Sequence, residues 1–113
     1  MKKFPIQFDI EALLKGKEIV SICIYPDELT VEFSENVFIS TFNQIRFLEL
    51  NFKINNQIPE FIYLLLSEKI ADLSNVGLDL ELKTSSGYNI KFECFEWPYE
   101  SYHISSDHID IAI

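Results

Sequence analysis

The fold is decided by two stretches with the same pattern, Leu29-Thr-Val-Glu-Phe33 and Leu78-Asp-Leu-Glu-Leu82. In each stretch apolar side chains alternate with polar ones, which is the two-residue period of a β-strand with one buried face and one solvated face. Strands of this kind are typical of antiparallel sheets. The sequence therefore predicts two similar antiparallel strands, one in each half of the chain.

The elements around these two strands follow the same order in both halves. A short apolar helix end, Leu13-Leu14 or Leu65-Leu66, precedes a strand, a turn, the alternating strand, a polar turn and a further strand. Polar turns between alternating strands are typical of hairpins. This order predicts an internal duplication within one domain, with halves at residues 9–54 and 58–113.

The remaining pattern predicts two short helices and further strands. These are a helix capped by Asp9 and ending near Gly16, a helix from Pro59 to Ser67, a strand Ile45–Ile54 with a bulge at Phe47–Leu48, and strands at Tyr102–Ile104 and Ile109–Ile113. The predicted fold class is α+β, with two similar antiparallel β-units, each preceded by a short helix, that share one core.

The composition is that of a folded and strongly acidic chain. Of 113 residues, 48% are hydrophobic, and 18 acidic against 9 basic residues give a formal net charge of −9. Nucleic acid and anionic membrane surfaces need a cationic face, so the sequence predicts neither as a partner. A cationic protein is the natural complement. The alternative is that the acidity only keeps an aromatic-rich protein in solution.

The chain carries no export or membrane signal that we recognise. Pro5 and Asp9 interrupt any apolar signal region, and the longest apolar run, Phe61–Leu66, is too short to span a bilayer. We therefore expect a cytoplasmic protein. In that reducing compartment, Cys23 and Cys94 are predicted to be free thiols in the core, because both lie in strand-like apolar runs.

No motif for catalysis is present. The sequence has neither a Gly-rich phosphate loop nor a Gly-x-Ser-x-Gly elbow. Cys23 and Cys94 lack the cationic neighbours that activate a thiol. Glu32 and Glu81 hold matching positions in the two halves, but alternation places both on solvated faces, where a carboxylate is a poor general acid. The sequence predicts a protein that is not an enzyme and that uses no cofactor.

One cluster near the C-terminus has the composition of a metal site. His103 and His108 would approach each other across a hairpin of the two C-terminal strands, with Asp107 and Asp110 nearby. However, Ser105-Ser106-Asp107 is also typical of a simple solvated turn. We interpret the cluster as that turn and predict no metal.

The segment Glu93–Tyr102 is the strongest candidate for binding. It is acidic and aromatic at once, and no Lys or Arg follows Phe92. Charge steers a cationic partner toward such a surface, and aromatic side chains supply contact area. As an alternative, the aromatic residues pack into the core. The predicted partner-binding residues are Glu93, Glu96, Trp97, Tyr99, Glu100 and Tyr102.

The order of motifs resembles a group of small acidic bacterial proteins with two β-rich halves, several of which look like immunity proteins of polymorphic or contact-dependent toxin systems. The resemblance extends from about Ile10 to Ile104, and the matching residues are Leu13-Leu14, Leu65-Leu66, Leu78–Leu82, Gly87, Ile90 and Tyr99–Ile104. The chain departs from the group at Ser34-Glu35-Asn36, where a Gly is usual, and at Ser67-Glu68-Lys69, which has no counterpart of Gly16.

The resemblance implies a toxin-neutralising or other protein-binding role without a cofactor. The leading hypothesis is an immunity protein, a monomer or weak dimer, that occludes the basic active-site cleft of a cognate toxin. A second hypothesis is a phage or mobile-element inhibitor that mimics nucleic acid with a regular stripe of carboxylates. A third is a structural or assembly module that self-associates through strand edges such as Leu48–Ile54.

Overall fold

The computed structural model describes residues 10–26, 28–42, 44–47, 50–53, 60–94, 101–107 and 110–113. This part of the chain contains one α-helix, one 3-10 helix and ten strands. In chain order they are α1 (Ile10–Leu14), β1 (Ile19–Tyr25), β2 (Glu28–Phe33), β3 (Val37–Thr41), β4 (Gln44–Phe47), β5 (Leu50–Lys53), the 3-10 helix (Glu60–Leu65), β6 (Ile70–Val76), β7 (Asp79–Thr84), β8 (Asn89–Phe92), β9 (Tyr102–Ser105) and β10 (Asp110–Ala112).

The strands form two antiparallel sheets of five strands each. The order is β1-β2-β3-β9-β10 in the first sheet and β5-β4-β8-β7-β6 in the second. Each sheet therefore combines three consecutive strands from one half of the chain with a hairpin from the other half. Because the hairpins β4–β5 and β9–β10 are exchanged in this way, each sheet contains strands from both halves.

The alternation of residues buries one face of each sheet. β2 buries Leu29, Val31 and Phe33, and β7 buries Leu80 and Leu82. The buried residues of both sheets and of both helices form a single hydrophobic cluster. The two sheets thus pack face to face as two layers over this cluster. The prediction of antiparallel sheet with short helical segments is confirmed.

The three-stranded units β1–β3 and β6–β8 have matching registers. The pair Ile19–Phe33 recurs as Ile70–Thr84, 51 residues later in both strands, and a bulge follows the first residue of each pair. All pairs between β1 and β2 have counterparts at this offset, and so do four of the five pairs between β2 and β3. No residue is inserted or deleted between the two units over this length.

The strand registers show which residues of the two halves correspond, and they differ from the correspondence that the sequence pattern predicts. Leu29 corresponds to Leu80, and Glu32 corresponds to Lys83 and not to Glu81. The predicted match is shifted by two residues. A shift of two leaves every side chain on the same face of its strand, so alternation alone cannot reveal the error.

The starts of β1 and β6 pair with each other and join the two sheets. An isolated antiparallel bridge connects Glu18 and Lys69. Four backbone hydrogen bonds flank it: Gly16 N to Ile70 O (2.8 Å), Ile70 N to Lys17 O (2.9 Å), Ile19 N to Glu68 O (2.8 Å) and Ser67 N to Ile19 O (2.9 Å). If each residue is replaced by the one 51 positions away in the other half, the same four hydrogen bonds result. The junction therefore has local two-fold symmetry.

Gly16 and Ser67 hold equivalent positions at this junction and provide a matched test. Both have left-handed backbones, with φ of 83° and 71°. Gly16→Ala is expected to lower the free energy of unfolding by about 1 kcal/mol, and Ser67→Gly to raise it by about 0.5 kcal/mol, because a Cβ disfavours this conformation. No atom lies within 4 Å of a Cβ at Gly16, so crowding does not contribute. Urea denaturation measures both changes, and a destabilising Ser67→Gly would contradict the argument.

One predicted strand is wrong. The sequence predicts a single strand Ile45–Ile54 with a bulge, but β4 and β5 pair with each other as an antiparallel hairpin. The break in alternation after Phe47 therefore falls between two separate strands. Residues 48–49 and Ile54 lie outside the described part of the chain.

The helices and the C-terminal strands agree with the prediction more closely. α1 covers the predicted first helix, and the second helical segment, Glu60–Leu65, is a 3-10 helix. β9 and β10 lie where the sequence predicts C-terminal strands, and they pair as an antiparallel hairpin. Asp9 and Pro59, predicted at the starts of the two helices, lie outside the described residues. Within the described part of the chain, no helix is long and apolar enough to cross a membrane.

Candidate functional site

The outer face of each sheet, on the side away from the core, presents a distinct set of side chains. Directly paired residues on neighbouring strands point to the same side, so the registers assign them. We call the outer face of the first sheet the acidic face; its residues are Ser21, Cys23, Tyr25, Glu28, Thr30, Glu32, Phe38, Ser40, His103, Ser105, Asp110 and Ala112. We call the outer face of the second sheet the mixed face; its described side chains are Arg46, Asp72, Ser74, Val76, Asp79, Glu81, Lys83, Asn89, Lys91 and Glu93.

The two faces differ in charge. The acidic face carries Glu28, Glu32 and Asp110 and, among its described residues, no Lys or Arg. The mixed face sets three cations against four carboxylates. The three cation positions Lys83, Lys91 and Arg46 correspond, by register, to Glu32, Ser40 and His103 of the acidic face. The same backbone arrangement therefore accepts cations, and the lack of Lys and Arg is a property of one face only.

Two carboxylates of the mixed face, Asp79 and Glu93, pair with cations of the same face. Asp79 accepts a hydrogen bond from the Cys94 amide at 2.7 Å and lies 3.8 Å from the Lys91 ammonium. Glu93 lies 3.2 Å from the Arg46 guanidinium. These contacts pair two of the four carboxylates of the mixed face with cations of the same face.

Carboxylates of the acidic face have no such cationic neighbours. Glu32 accepts a hydrogen bond from the Ser21 hydroxyl at 2.9 Å, and Asp110 contacts the His103 imidazole. The carboxylate of Glu28 makes no hydrogen bond or ion pair with any residue that the structure describes. The uncompensated charge gives this face a negative potential that attracts cations.

Aromatic side chains accompany the carboxylates at one end of the acidic face. Tyr25, which pairs with Glu28, is 52% exposed, and Phe42 is 37% exposed. The Phe42 amide donates to the Ser101 carbonyl at 3.3 Å, so these residues lie at the same end of the first sheet. Segment 95–100 is joined in sequence to Ser101 at this end. Acidic and aromatic groups thus occur together here, the combination that the sequence predicts for a cationic partner.

No family model matches the chain, and it is similar to no curated protein and no solved structure. Its geometry and charge are therefore the basis for the functional proposal.

The structure separates the described members of the predicted binding set. Glu93 lies on the mixed face, where its side chain is 18% exposed and pairs with Arg46. Tyr102 is fully buried, and its hydroxyl donates to the Leu78 carbonyl at 2.6 Å. With no exposed surface in this structure, Tyr102 is a core residue. The other four predicted residues, Glu96, Trp97, Tyr99 and Glu100, lie outside the described part of the chain.

The acidic face contains residues that sequence analysis did not select. Tyr25, Glu28 and Glu32 lie far in sequence from the segment that was predicted to bind. The alternation of β2 places Glu28 and Glu32 on one solvated side, which is a usable signal. What the sequence did not reveal is that no cation lies beside them, because this depends on which strands are neighbours.

The described members of the C-terminal cluster of His and Asp residues do not converge as metal ligands. His103 contacts Asp110 directly, and Asp107 is exposed. His108 lies outside the described residues. Among those that are described, no group of three or more His, Cys, Asp or Glu side chains converges as metal ligands would.

Both cysteines are free, but their positions differ from the prediction. Cys23 is exposed and Cys94 is half-buried. The prediction that Cys23 lies in the core is wrong, because its pairing with Thr30 places it on the solvated side of β1. The core side of the same strand is occupied by its neighbours Ile22 and Ile24.

Proposed function

We propose that this protein binds a basic protein domain and blocks it, as an immunity protein neutralises its cognate toxin. The observation that carries the proposal is the acidic face, where carboxylates lack the cations that stand at the equivalent positions of the mixed face. A basic catalytic cleft would supply those missing cations. In this proposal the protein acts in the cytoplasm as a binding protein, with neither catalysis nor cofactor.

The proposed mechanism is occlusion. The negative potential of the acidic face steers the partner into an encounter, so association is fast and sensitive to salt. Tyr25 then contributes amphipathic contact area next to Glu28, and a bound sheet face excludes the partner's substrate. We propose that Glu96, Trp97, Tyr99 and Glu100 also contribute to the contact with the partner, because they precede Ser101 directly in sequence.

We further propose that the halves 9–54 and 58–113 are two copies of one unit that diverged in function. The constant 51-residue offset and the exchanged hairpins support this proposal. Divergence of one outer face toward uncompensated acidity, while the other kept its ion pairs, is the change expected if only one face acquired a partner.

The arrangement of carboxylates favours a protein partner over mimicry of nucleic acid. A mimic requires carboxylates at regular intervals along a whole face. Glu28 and Glu32 lie about 13 Å apart along β2, with the hydroxyl of Thr30 between them and bonded to Ser40. This is a patch of charge on one strand and not a stripe.

Co-expression with the product of the neighbouring reading frame tests the proposed function. We expect a stoichiometric complex with a basic toxin domain, loss of the toxin's activity in the complex, and faster dissociation as salt is raised. Purification in low and high salt, followed by an activity assay of the partner, measures all three. A complex that leaves the partner fully active would contradict the proposal of neutralisation.

A further inference from the structure

β1 is an edge strand with an open outer side. It ends the first sheet, and beyond Ile19 no described strand pairs with that side. The seven residues of β1 carry no charge, and Val20, Ile24 and Tyr25 are 45%, 44% and 52% exposed. Open edges with apolar side chains pair readily with another strand, and proteins usually protect them with charged residues.

The equivalent edge of the other half is protected. β6 ends the second sheet in the same way, and the residues Asp72, Ser74 and Asn75 of β6 stand at the positions of Ser21, Cys23 and Ile24 in β1. The fold therefore accepts polar and charged residues along this edge. At position 24 the fold accepts Asn75 in one half, so the apolar side chain of Ile24 in the other half is not a requirement of the scaffold, and this points to a binding role.

The two sides of β1 differ in what they offer a further strand. On the acidic face, the small side chains of Ser21 and Cys23 separate the open edge from the carboxylate of Glu32 on β2. On the opposite side, Ile22 and Ile24 pair with buried residues of β2 and continue the apolar core to the edge.

We propose that β1 accepts an extended strand of the basic partner in which basic and apolar residues alternate, an inference that rests on the proposed function. The alternation of a strand would place its basic side chains over the acidic face and its apolar side chains against Ile22 and Ile24. Long Lys and Arg side chains reach past Ser21 and Cys23 to the carboxylate of Glu32, and the carboxylate of Glu28, beside Tyr25, adds to the attraction. The backbone of β1 supplies main-chain hydrogen bonds that do not depend on sequence.

The start of β1 limits the length of this added strand. The Ile19 amide donates to the Glu68 carbonyl, and the Ile19 carbonyl accepts from the Ser67 amide. Both polar groups of Ile19 are thus occupied on the outer side, and the open edge runs only from Val20 to Tyr25. A segment of about six or seven residues fills it.

A second copy of the chain is a poorer occupant on electrostatic grounds. Each copy has a formal net charge of −9, and pairing of β1 with β1 would bring two acidic faces next to each other. Like charges brought together in this way oppose association. A cationic strand would neutralise negative charge on the acidic face, whereas a second copy would bring more negative charge to it.

Two peptides of equal composition test the proposal on the intact protein. The first is Lys-Val-Lys-Val-Lys-Val-Lys and the second is Val-Val-Val-Lys-Lys-Lys-Lys, both with blocked ends. In NMR titrations at low salt we expect the alternating peptide to bind at least about tenfold more tightly than the block peptide, with the largest amide shifts in β1. Ile24→Lys is expected to remove this preference, and Asn75→Lys, the matched change on β6, to leave it unchanged.

The outcomes separate this inference from the proposed function. Equal affinity for the two peptides, shifts confined to residues outside β1, or no binding of either peptide would overturn strand addition. Preferential binding of the alternating peptide that survives Glu28→Lys with Glu32→Lys would keep strand addition and remove the acidic face as the source of affinity. A dimer that Ile24→Lys dissociates would replace the cationic strand with a second copy as the occupant of β1.

Discussion

Tyr102→Ala is expected to lower the free energy of unfolding by about 3–5 kcal/mol. Tyr102 is fully buried, its ring lies 5.9 Å from that of Phe92, and its hydroxyl bonds to the Leu78 carbonyl. The residue belongs to β9 of the first sheet, whereas Phe92 belongs to β8 of the second sheet and Leu78 lies in the turn between β6 and β7. Its loss therefore leaves a cavity between the layers. Because domains of this size are stable by only about 5–15 kcal/mol, urea denaturation should show a severely destabilised variant.

Tyr102→Phe separates packing from hydrogen bonding in this prediction. The ring is retained and only the bond to the Leu78 carbonyl is lost, so we expect a cost of about 1–2 kcal/mol. A phenylalanine that costs as much as alanine would show that the hydroxyl, and not the cavity, dominates. An unchanged stability would show that the hydrogen bond contributes nothing.

The native protein and Tyr102→Phe are expected to differ in how their stability changes at alkaline pH. Burial, and then the nearby Cys94 and Asp79, raise the pKa of Tyr102 above its ordinary value of 10.0. Since the folded pKa lies above the unfolded one, the stability that the neutral phenol contributes is complete below pH 10 and is lost as the pH rises from there toward the folded pKa. Stability should therefore fall more steeply above pH 10 in the native protein than in Tyr102→Phe, as measured by denaturation across that range.

Strand periodicity predicts much of the local structure and little of the pairing. The alternation in β2 and β7 correctly indicates which side chains are buried, because burial of one face is a local pattern. It does not fix which residues of the two halves correspond, since a shift of two preserves that pattern. Strand periodicity gives no information on the exchange of β4–β5 and β9–β10 between the sheets, because these pairings join residues far apart in sequence.

The same limit applies to the candidate site. The composition predicts a cationic partner, but the predicted segment contains Tyr102, whose alternation with His103 is equally compatible with a core position. Glu28 and Glu32 are ordinary solvated carboxylates in the sequence. Their significance becomes clear only from the register, which shows that Glu32 corresponds to Lys83 of the second sheet and not, as the sequence pattern predicts, to Glu81. An electrostatic site made from several strands is visible only after the strands are paired.

Glu28→Lys combined with Glu32→Lys is expected to weaken binding of the basic partner by about a hundredfold at low salt. Each substitution removes an attractive charge and adds a repulsive one at the proposed interface, and a factor of ten corresponds to about 1.4 kcal/mol. Both side chains are half-exposed on a solvated face, so the fold should tolerate the change. Calorimetric titration with the partner at low and high salt measures the loss, which should shrink as salt screens the charges.

The matched control reverses two carboxylates of the mixed face, Asp72→Lys with Glu81→Lys. Each double variant raises the formal net charge of −9 by four, so the pairs differ only in where the charge is placed. A control that binds within about threefold of the native protein would locate the interface on the acidic face. Equal losses in both pairs would mean that net charge alone drives association, which contradicts a defined site. A third double variant, Glu96→Lys with Glu100→Lys, tests the segment before Ser101. A loss of affinity similar to that of Glu28→Lys with Glu32→Lys would extend the interface to this segment. An unchanged affinity would confine the interface to the sheet.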